Sequence, residues 1–298
     1  MGPERVRFDE PMAWHTSFRI GGPADCLVQP LTLRELKLTL DFCQGEGVPY
    51  LIMGNGTNLL VRDGGIRGVV IKMVRGFDGI SRRGSLLVSG AGALLARVSG
   101  RAAEENLAGL EWGIGIPGTL GGAVFMNAGA YGGEMKDVVE EVVTLHPATG
   151  ETRSWSCGEL GLSYRSSIFQ ETDDVILEVA LRLKPGSRAV IEGEMKTYTE
   201  RREARQPLNW PSAGSVFKRP PGYYVGPLIE EAGLKGYRNG DAQVSELHAG
   251  FIINRGQATA RQVLELIEII QERVEGLFGV HLETELRVVG EDQEDGAG

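Results

Sequence analysis

Between Trp112 and Gly133 the chain runs 22 residues without a charged side chain, and eight of them are glycine. A stretch that long could cross a bilayer as a helix. Its glycines, with Pro117 and Asn127, make a poor lipid-facing helix, so it reads as a glycine-rich segment of a soluble protein. Glycine is 43 of the 298 residues, about twice its usual share of roughly 7%. It clusters at 45–68, 76–92, 100–133 and 214–240. Clustering of this kind suggests backbone that turns tightly or lies against a ligand. Many tight turns in a β-rich chain is the plainer alternative.

The remaining composition is that of a globular protein, at 42% hydrophobic and 24% charged, which excludes a disordered chain, a collagen-like fibre and a long coiled coil. The length suggests about two domains. Lys and Arg number 31 against 40 Asp and Glu, a net charge of −9. General affinity for nucleic acid needs cations to neutralise phosphates, so no nucleic-acid partner is expected. Cys26, Cys43 and Cys157 have no CxxC spacing and indicate neither a disulfide framework nor a metal site. They read as buried free thiols in a reducing compartment. The first residues carry no apolar signal core, so a cytoplasmic protein with no membrane partner is expected.

Local patterns organise the chain as α+β with several small sheets. Thr32 to Glu35 forms a capping box opening a helix with Leu36, Leu40 and Cys43 inward, ended near Gly45 or Gly47. Short buried strands follow at 48–53 and 69–72, making the first 75 residues a small β-α-β-β unit. Leu86 to Val88 is a strand leading into a helix around 93–106, and 138–146 and 175–183 read as strands. The charge-laced stretch 191–205 reads as a solvated helix joining two bodies. Two more helices follow, one around Val225, Leu228, Ile229 and Ala232. The other opens with the box Thr259 to Gln262 and carries Val263, Ile267, Ile270 and Val274. Residues 280–289 alternate as an amphipathic strand, and the acidic tail from Gly290 reads as frayed.

Several segments carry the residue types that chemistry needs. Gly54-Asn55-Gly56-Thr57-Asn58 follows a strand and is built from residues that tolerate left-handed backbone, so its amides can turn inward as an anion nest, or form an ordinary loop. Gly113 to Gly118 has the spacing GxGxxG, yet Asn106 to Trp112 reads as a polar loop rather than a strand, and Pro117 lies within the turn. Gly90-Ala91-Gly92 does follow a strand, but Leu95 stands where a third glycine belongs. A Rossmann nucleotide site therefore lacks its context. The stretch from Gly115 onward lets backbone lie flat against a large planar or pyrophosphate-bearing ligand, with Thr119 and Asn127 as side-chain donors or acceptors. Arg165, beside Tyr164, is either a surface charge or a carboxylate clamp. Ser215 in Ala213-Gly214-Ser215 is a cap, a turn or a reactive hydroxyl, with no Ser-His-Asp order around it. Glu285 on the last amphipathic stretch is exposed by default.

Taken in order, Thr16 to Gly22, Gly54 to Asn58, Gly115 to Gly132, Tyr164-Arg165, Ala213 to Lys218, His248 to Asn254 and Leu282 to Arg287 resemble the UDP-N-acetylenolpyruvoylglucosamine reductase family over nearly the whole chain. The resemblance implies an FAD-binding fold of the vanillyl-alcohol-oxidase type in two subdomains, 1–75 (with 279–298 returning to it) and 76–205. A substrate-binding α+β domain at 206–278 completes it. It implies FAD and NADPH as cofactors and UDP-N-acetylglucosamine enolpyruvate as the small-molecule substrate, in a monomer or weak oligomer. Gly54, Asn55, Gly56, Thr57 and Asn58, with Gly115, Ile116, Pro117, Gly118, Thr119, Gly121, Gly122 and Asn127, would hold FAD. Arg165, Ser215 and Glu285 would be catalytic, and Tyr164, Lys218 and His248 would contact substrate. There is no room between Arg165 and Ser215 for the extra tyrosine loop of the longer form. Gly250 stands where the family pattern would place Asn. The competing readings are a related flavin oxidoreductase acting on an alcohol or hydroxy acid, and a binding module without activity.

Overall fold

The computed structural model describes residues 1–2 and 4–293. The chain divides into two compact units, the first comprising 1–7, 27–55 and 69–202, the second 8–26, 56–68 and 203–298. This grouping assigns 8–26 and 56–68 to the same unit as the C-terminal third.

Unit 1 holds helices α1 (Leu33–Gly45), α2 (Leu95–Glu104), α3 (Leu120–Phe125) and most of α4 (Arg188–Arg205). The Thr32 hydroxyl accepts from the Glu35 amide at 3.2 Å, so α1 starts where the capping box placed it. Tyr50–Met53 pairs in parallel with 69–72. Val48 and Pro49 stay outside the strand, the Val48 amide donating to Cys43 O at 2.8 Å and Pro49 having no amide hydrogen for the ladder, and Tyr50, Leu51 and Ile52 are half-buried rather than buried. A five-stranded antiparallel sheet runs in the order 152–156, 139–145, 175–182, 86–90, 80–83. Leu87, Val142, Val179 and Leu181 of this sheet share a core with Leu95 and Val98 of α2 and Leu120 and Val124 of α3. Two expectations change here. Residues 107–115 are not a polar loop: Leu107–Ala108 is a short strand and Glu111–Gly115 a 3-10 turn, with Leu110, Glu111 and Trp112 buried. The Glu111 carboxylate is satisfied there by the Gly109 amide at 2.8 Å, which is how a charged residue hides inside an apolar run. Cys43 is buried, but Cys26 and Cys157 are half-buried; all three are free thiols.

Unit 2 is built around α5 (Val225–Glu231) and α6 (Ala260–Phe278). A three-stranded antiparallel sheet, 238–239, 242–244 and 252–254, lies with them around a core of Phe18, Leu60, Ile229, Val244, Ile252, Val263, Ile270 and Leu282. Each large aliphatic side chain buried there contributes about 1.5–3 kcal/mol. The expected ten-residue strand at 280–289 is shorter. Only Arg287–Val289 forms a ladder, in parallel with Leu59–Val61. Before it, 283–285 bonds to 216–218 instead, through Lys218 N to Glu283 O and Glu285 N to Val216 O, both 2.8 Å. The tail is tied down as far as Asp292, through the Glu291 amide to Gly65 O at 2.9 Å and Arg62 to Asp292 at 2.5 Å. Residues 294–298 lie outside the described part. No helix among the described residues is long and apolar enough to cross a membrane.

Helix α6 is doubly anchored at its start. Thr259 and Gln262 form a capping box, and the two Asp63 oxygens accept from the Ala260 and Arg261 amides at 2.8 and 2.9 Å. Orphan amides and the positive end of the helix dipole are satisfied together. Replacing Asp63 by Ala is expected to lower unfolding free energy by about 1–2 kcal/mol, read as an earlier urea midpoint at unchanged slope. An unshifted midpoint would show that Thr259 alone suffices.

Candidate active site

In unit 1 the glycines of the sequence motif let the backbone pack directly on neighbouring side chains. A Cβ on Gly54 would run into the Thr119 hydroxyl, and one on Gly121 would sit 2.9 Å from the Ala91 Cβ. Asn55 bridges the same gap, its amide donating to Pro117 O at 3.0 Å. The expected flat ribbon is interrupted by α3, which Thr119 caps by accepting from the Gly122 amide at 3.3 Å. Thr119 and Asn127 thus satisfy their own chain first. Asn127 is wholly buried. It donates to Glu134 at 2.9 Å and to Ser163 O at 2.8 Å, and accepts from the Lys136 amide at 2.9 Å. Its place is that of a brace under the 163–166 turn. That turn carries Tyr164, half exposed, and Arg165, whose φ is 55°. The Arg165 guanidinium reaches Gly129 O at 3.4 Å and lies 5.0 Å from the Tyr164 ring centre.

In unit 2, Gly56 at φ 65° turns the chain so that its carbonyl accepts from the Ser17 amide at 3.1 Å. Asn58 then docks on the C-terminal stretch. Its side chain donates to Glu285 O at 3.1 Å, and its carbonyl accepts from the Arg287 amide at 2.9 Å. Gly214, at φ 82°, presents Ser215 at the head of the 215–218 segment, which lies between 250–251 and 283–285. The Ser215 hydroxyl donates to Phe217 O at 3.2 Å. Lys218 forms an ion pair with Glu283. Glu285 is half-buried rather than exposed, its main chain bonded to Val216 on one side and to the Asn58 side chain on the other. His248 accepts from the Gly250 amide at 3.1 Å and packs edge-on against Phe251. A Cβ at Gly250 would meet the His248 ring at 3.0 Å and the Ser215 hydroxyl at 3.7 Å, so Asn there would need the imidazole to move.

The expected residues therefore gather in two sets. Gly54, Asn55, 115–122, Tyr164 and Arg165 belong to unit 1; Gly56 to Asn58, Ser215, Lys218, His248 and Glu285 belong to unit 2. Among the described residues, the amides of 54–58 and of Gly118 and Thr119 donate no hydrogen bond. Each run of unspent donors by itself suits a phosphate group.

Residues 24–156 match the family described as FAD binding domain, so the protein is of the FAD-binding class. Residues 206–289 match the family described as UDP-N-acetylenolpyruvoylglucosamine reductase, C-terminal domain. The chain is 52% identical over 287 residues to the UDP-N-acetylenolpyruvoylglucosamine reductase of Alkaliphilus oremlandii, covering 96% of this chain and 94% of that one. It is 48% identical to that of Syntrophomonas wolfei, covering 97% of each. A crystal structure of the Thermus caldophilus reductase superposes with a TM-score of 0.81 at 38% identity, over 95% of this chain and 97% of that one. The chain belongs to the UDP-N-acetylenolpyruvoylglucosamine reductase family: an FAD-dependent oxidoreductase of α+β fold.

Two outcomes follow from this geometry. Gly54→Ala would push the Thr119 hydroxyl off its cap and is expected to lower the flavin absorbance of the purified protein relative to its 280 nm band. Full flavin content would show that the close approach is dispensable. Burial holds the His248 pKa below its usual value, outweighing its backbone hydrogen bond and Glu230, which raise it. The unfolded chain then binds more protons, so stability is full above about pH 6.5 and falls as pH drops below it. His248→Gln should flatten that fall between pH 7 and 5.5 in urea titrations; identical slopes would remove His248 as its source.

Proposed function

We propose that this chain reduces UDP-N-acetylglucosamine enolpyruvate to UDP-N-acetylmuramate with electrons from NADPH, a step in making peptidoglycan precursor, and that Arg165, Ser215 and Glu285 are its catalytic residues. Residues 1–75 and 76–205 would serve as the FAD-holding subdomains and 206–278 as the substrate-binding one. The observation that carries the reading lies in unit 2. Asn58 of the glycine loop is bonded to the backbone of Glu285, and Glu285 is bonded through Val216 to the segment that starts with Ser215. A loop suited to the cofactor, a hydroxyl and a carboxyl group are thereby set in one hydrogen-bonded stack.

Bound FAD supplies the two-electron chemistry between NADPH and the terminal enolpyruvyl carbon, with 54–58 and 115–122 as its cradle. Negative charge then develops on the carboxylate-bearing carbon and its oxygens. A fixed cation lowers that barrier, which is the role of Arg165, held by Gly129 O and the Tyr164 ring. Glu285 in its protonated form donates a hydrogen bond to the same charge. Ser215 gives the proton to the second carbon as general acid. To do so its hydroxyl leaves Phe217 O, a weak bond at 3.2 Å. Serine is a poor acid in water, so the step requires the strongly basic, enolate-like centre beside it. Tyr164, Lys218 and His248 contact the substrate.

The test separates the two half-reactions under anaerobic stopped flow. NADPH should bleach the flavin in wild type and in Ser215→Ala alike. Recovery of colour on adding the enolpyruvyl substrate should be slower in the variant by about 10²–10⁴-fold. Equal recovery would remove Ser215 from the role. Bleaching without any recovery in wild type, with peroxide formed in air, would point to an oxidase of an alcohol or hydroxy acid instead.

A further inference from the structure

Helix α4 places Ile191, Met195, Tyr198 and Arg202 on one face, at spacings of four, three and four residues. Ile191 and Met195 are buried. Tyr198 stacks on Tyr131 with ring centres 4.6 Å apart and planes at 7°, and the Tyr131 hydroxyl donates to Tyr198 O at 3.2 Å. Arg202 ends this stripe against the glycine-rich segment. A Cβ on Gly115 would lie 3.0 Å from its Cδ and 3.3 Å from its Nη1. Arg202 is half-buried, and among the described residues it has no hydrogen bond or ion pair. Other arginines of the helix are treated differently. Arg188 pairs with Glu192 at 2.7 Å, and Arg201 and Arg205 stand in water.

A cation that remains charged and is partly withdrawn from water without a counter-charge costs free energy. Burial does press the Arg202 pKa down, against a smaller opposing effect of Tyr131. Packing by Gly115 below and by the Tyr131–Tyr198 pair one turn before fixes the side chain while leaving its donors unspent. Arg165 borders the same short hairpin, at Gly129 O, two residues before Tyr131. Two arginines thus flank one hairpin beside the segment suited to the cofactor.

We propose that Arg202 is an anion-binding residue of the active site, its guanidinium serving as counter-charge to a ligand anion held beside Gly115. The anion is the enolpyruvyl carboxylate, which the product retains, or the negative charge of the reduced cofactor. This rests on the function proposed above. Its chemistry is that of a forked guanidinium meeting a planar anion, so lysine should substitute partly and a neutral residue not at all.

The experiment compares holoenzyme carrying Arg202→Gln or Arg202→Lys with wild type. Calorimetry measures binding of UDP-N-acetylmuramate, which has the carboxylate, and of UDP-N-acetylglucosamine, which lacks it. Loss of one charge-assisted contact should weaken the first about ten- to hundredfold in Arg202→Gln, leave the second unchanged, and be partly restored in Arg202→Lys. If the cofactor is the anion, both ligands bind as before. The flavin midpoint potential then falls in Arg202→Gln and recovers in Arg202→Lys, because the reduced form has lost its cation. If neither quantity moves, or if both variants lose flavin or binding equally, Arg202 is a packing residue and the proposal fails. Failure of the function itself has a different mark: wild-type flavin bleached by NADPH would not recover with the enolpyruvyl substrate.

Discussion

The approach of Gly54 to Thr119 leaves no space for a side chain, and much of unit 1 is arranged so that it can occur. The parallel pairing of Tyr50–Met53 with 69–72 delivers the glycine, while the shared core of α2, α3 and the five-stranded sheet delivers the threonine. Asn55 then closes the gap onto Pro117. A glycine packed this closely on the Thr119 side chain carries no side chain of its own to cover its amide, and amides are what a pyrophosphate needs. The excess of glycine is a condition of that contact surface and not a sign of looseness.

Unit 2 meets a different need by layering. Segments 215–218, 250–251 and 283–285 are too short and irregular to count as a sheet, yet they exchange main-chain hydrogen bonds in order. Such layering fixes where a hydroxyl and a carboxyl group sit without requiring long strands. Gly250 fits the same economy, since His248 fills the space a larger residue would use.

Local signals were legible and distant ones were not. The Thr32 cap and the Thr259 capping box each lie within four residues, so α1 and α6 start where the sequence places them. The pairing of 283–285 with 216–218 joins residues more than sixty positions apart, and no periodicity announces it; an alternating pattern at 280–289 suggested one long strand instead. The site residues were named through resemblance, because each alone reads as a cap, a turn or a surface charge. Thr119 and Asn127 looked available only because sequence hides the backbone groups that occupy them. Arg202 was overlooked within a stretch read as solvated. The signal was present in its spacing from Ile191, Met195 and Tyr198, where a charged residue continues an apolar stripe.

Asn58 takes both of its backbone-directed bonds from residues 285 and 287, and the strand after it pairs with 287–289. The second half of the glycine loop is thus shaped by residues more than two hundred positions later in the chain. While those residues are still unmade, the loop has no template and its amides no fixed direction. Cofactor capture in this sense waits on a segment more than two hundred positions downstream, whose main chain at 285 and 287 helps decide when the enzyme comes into being.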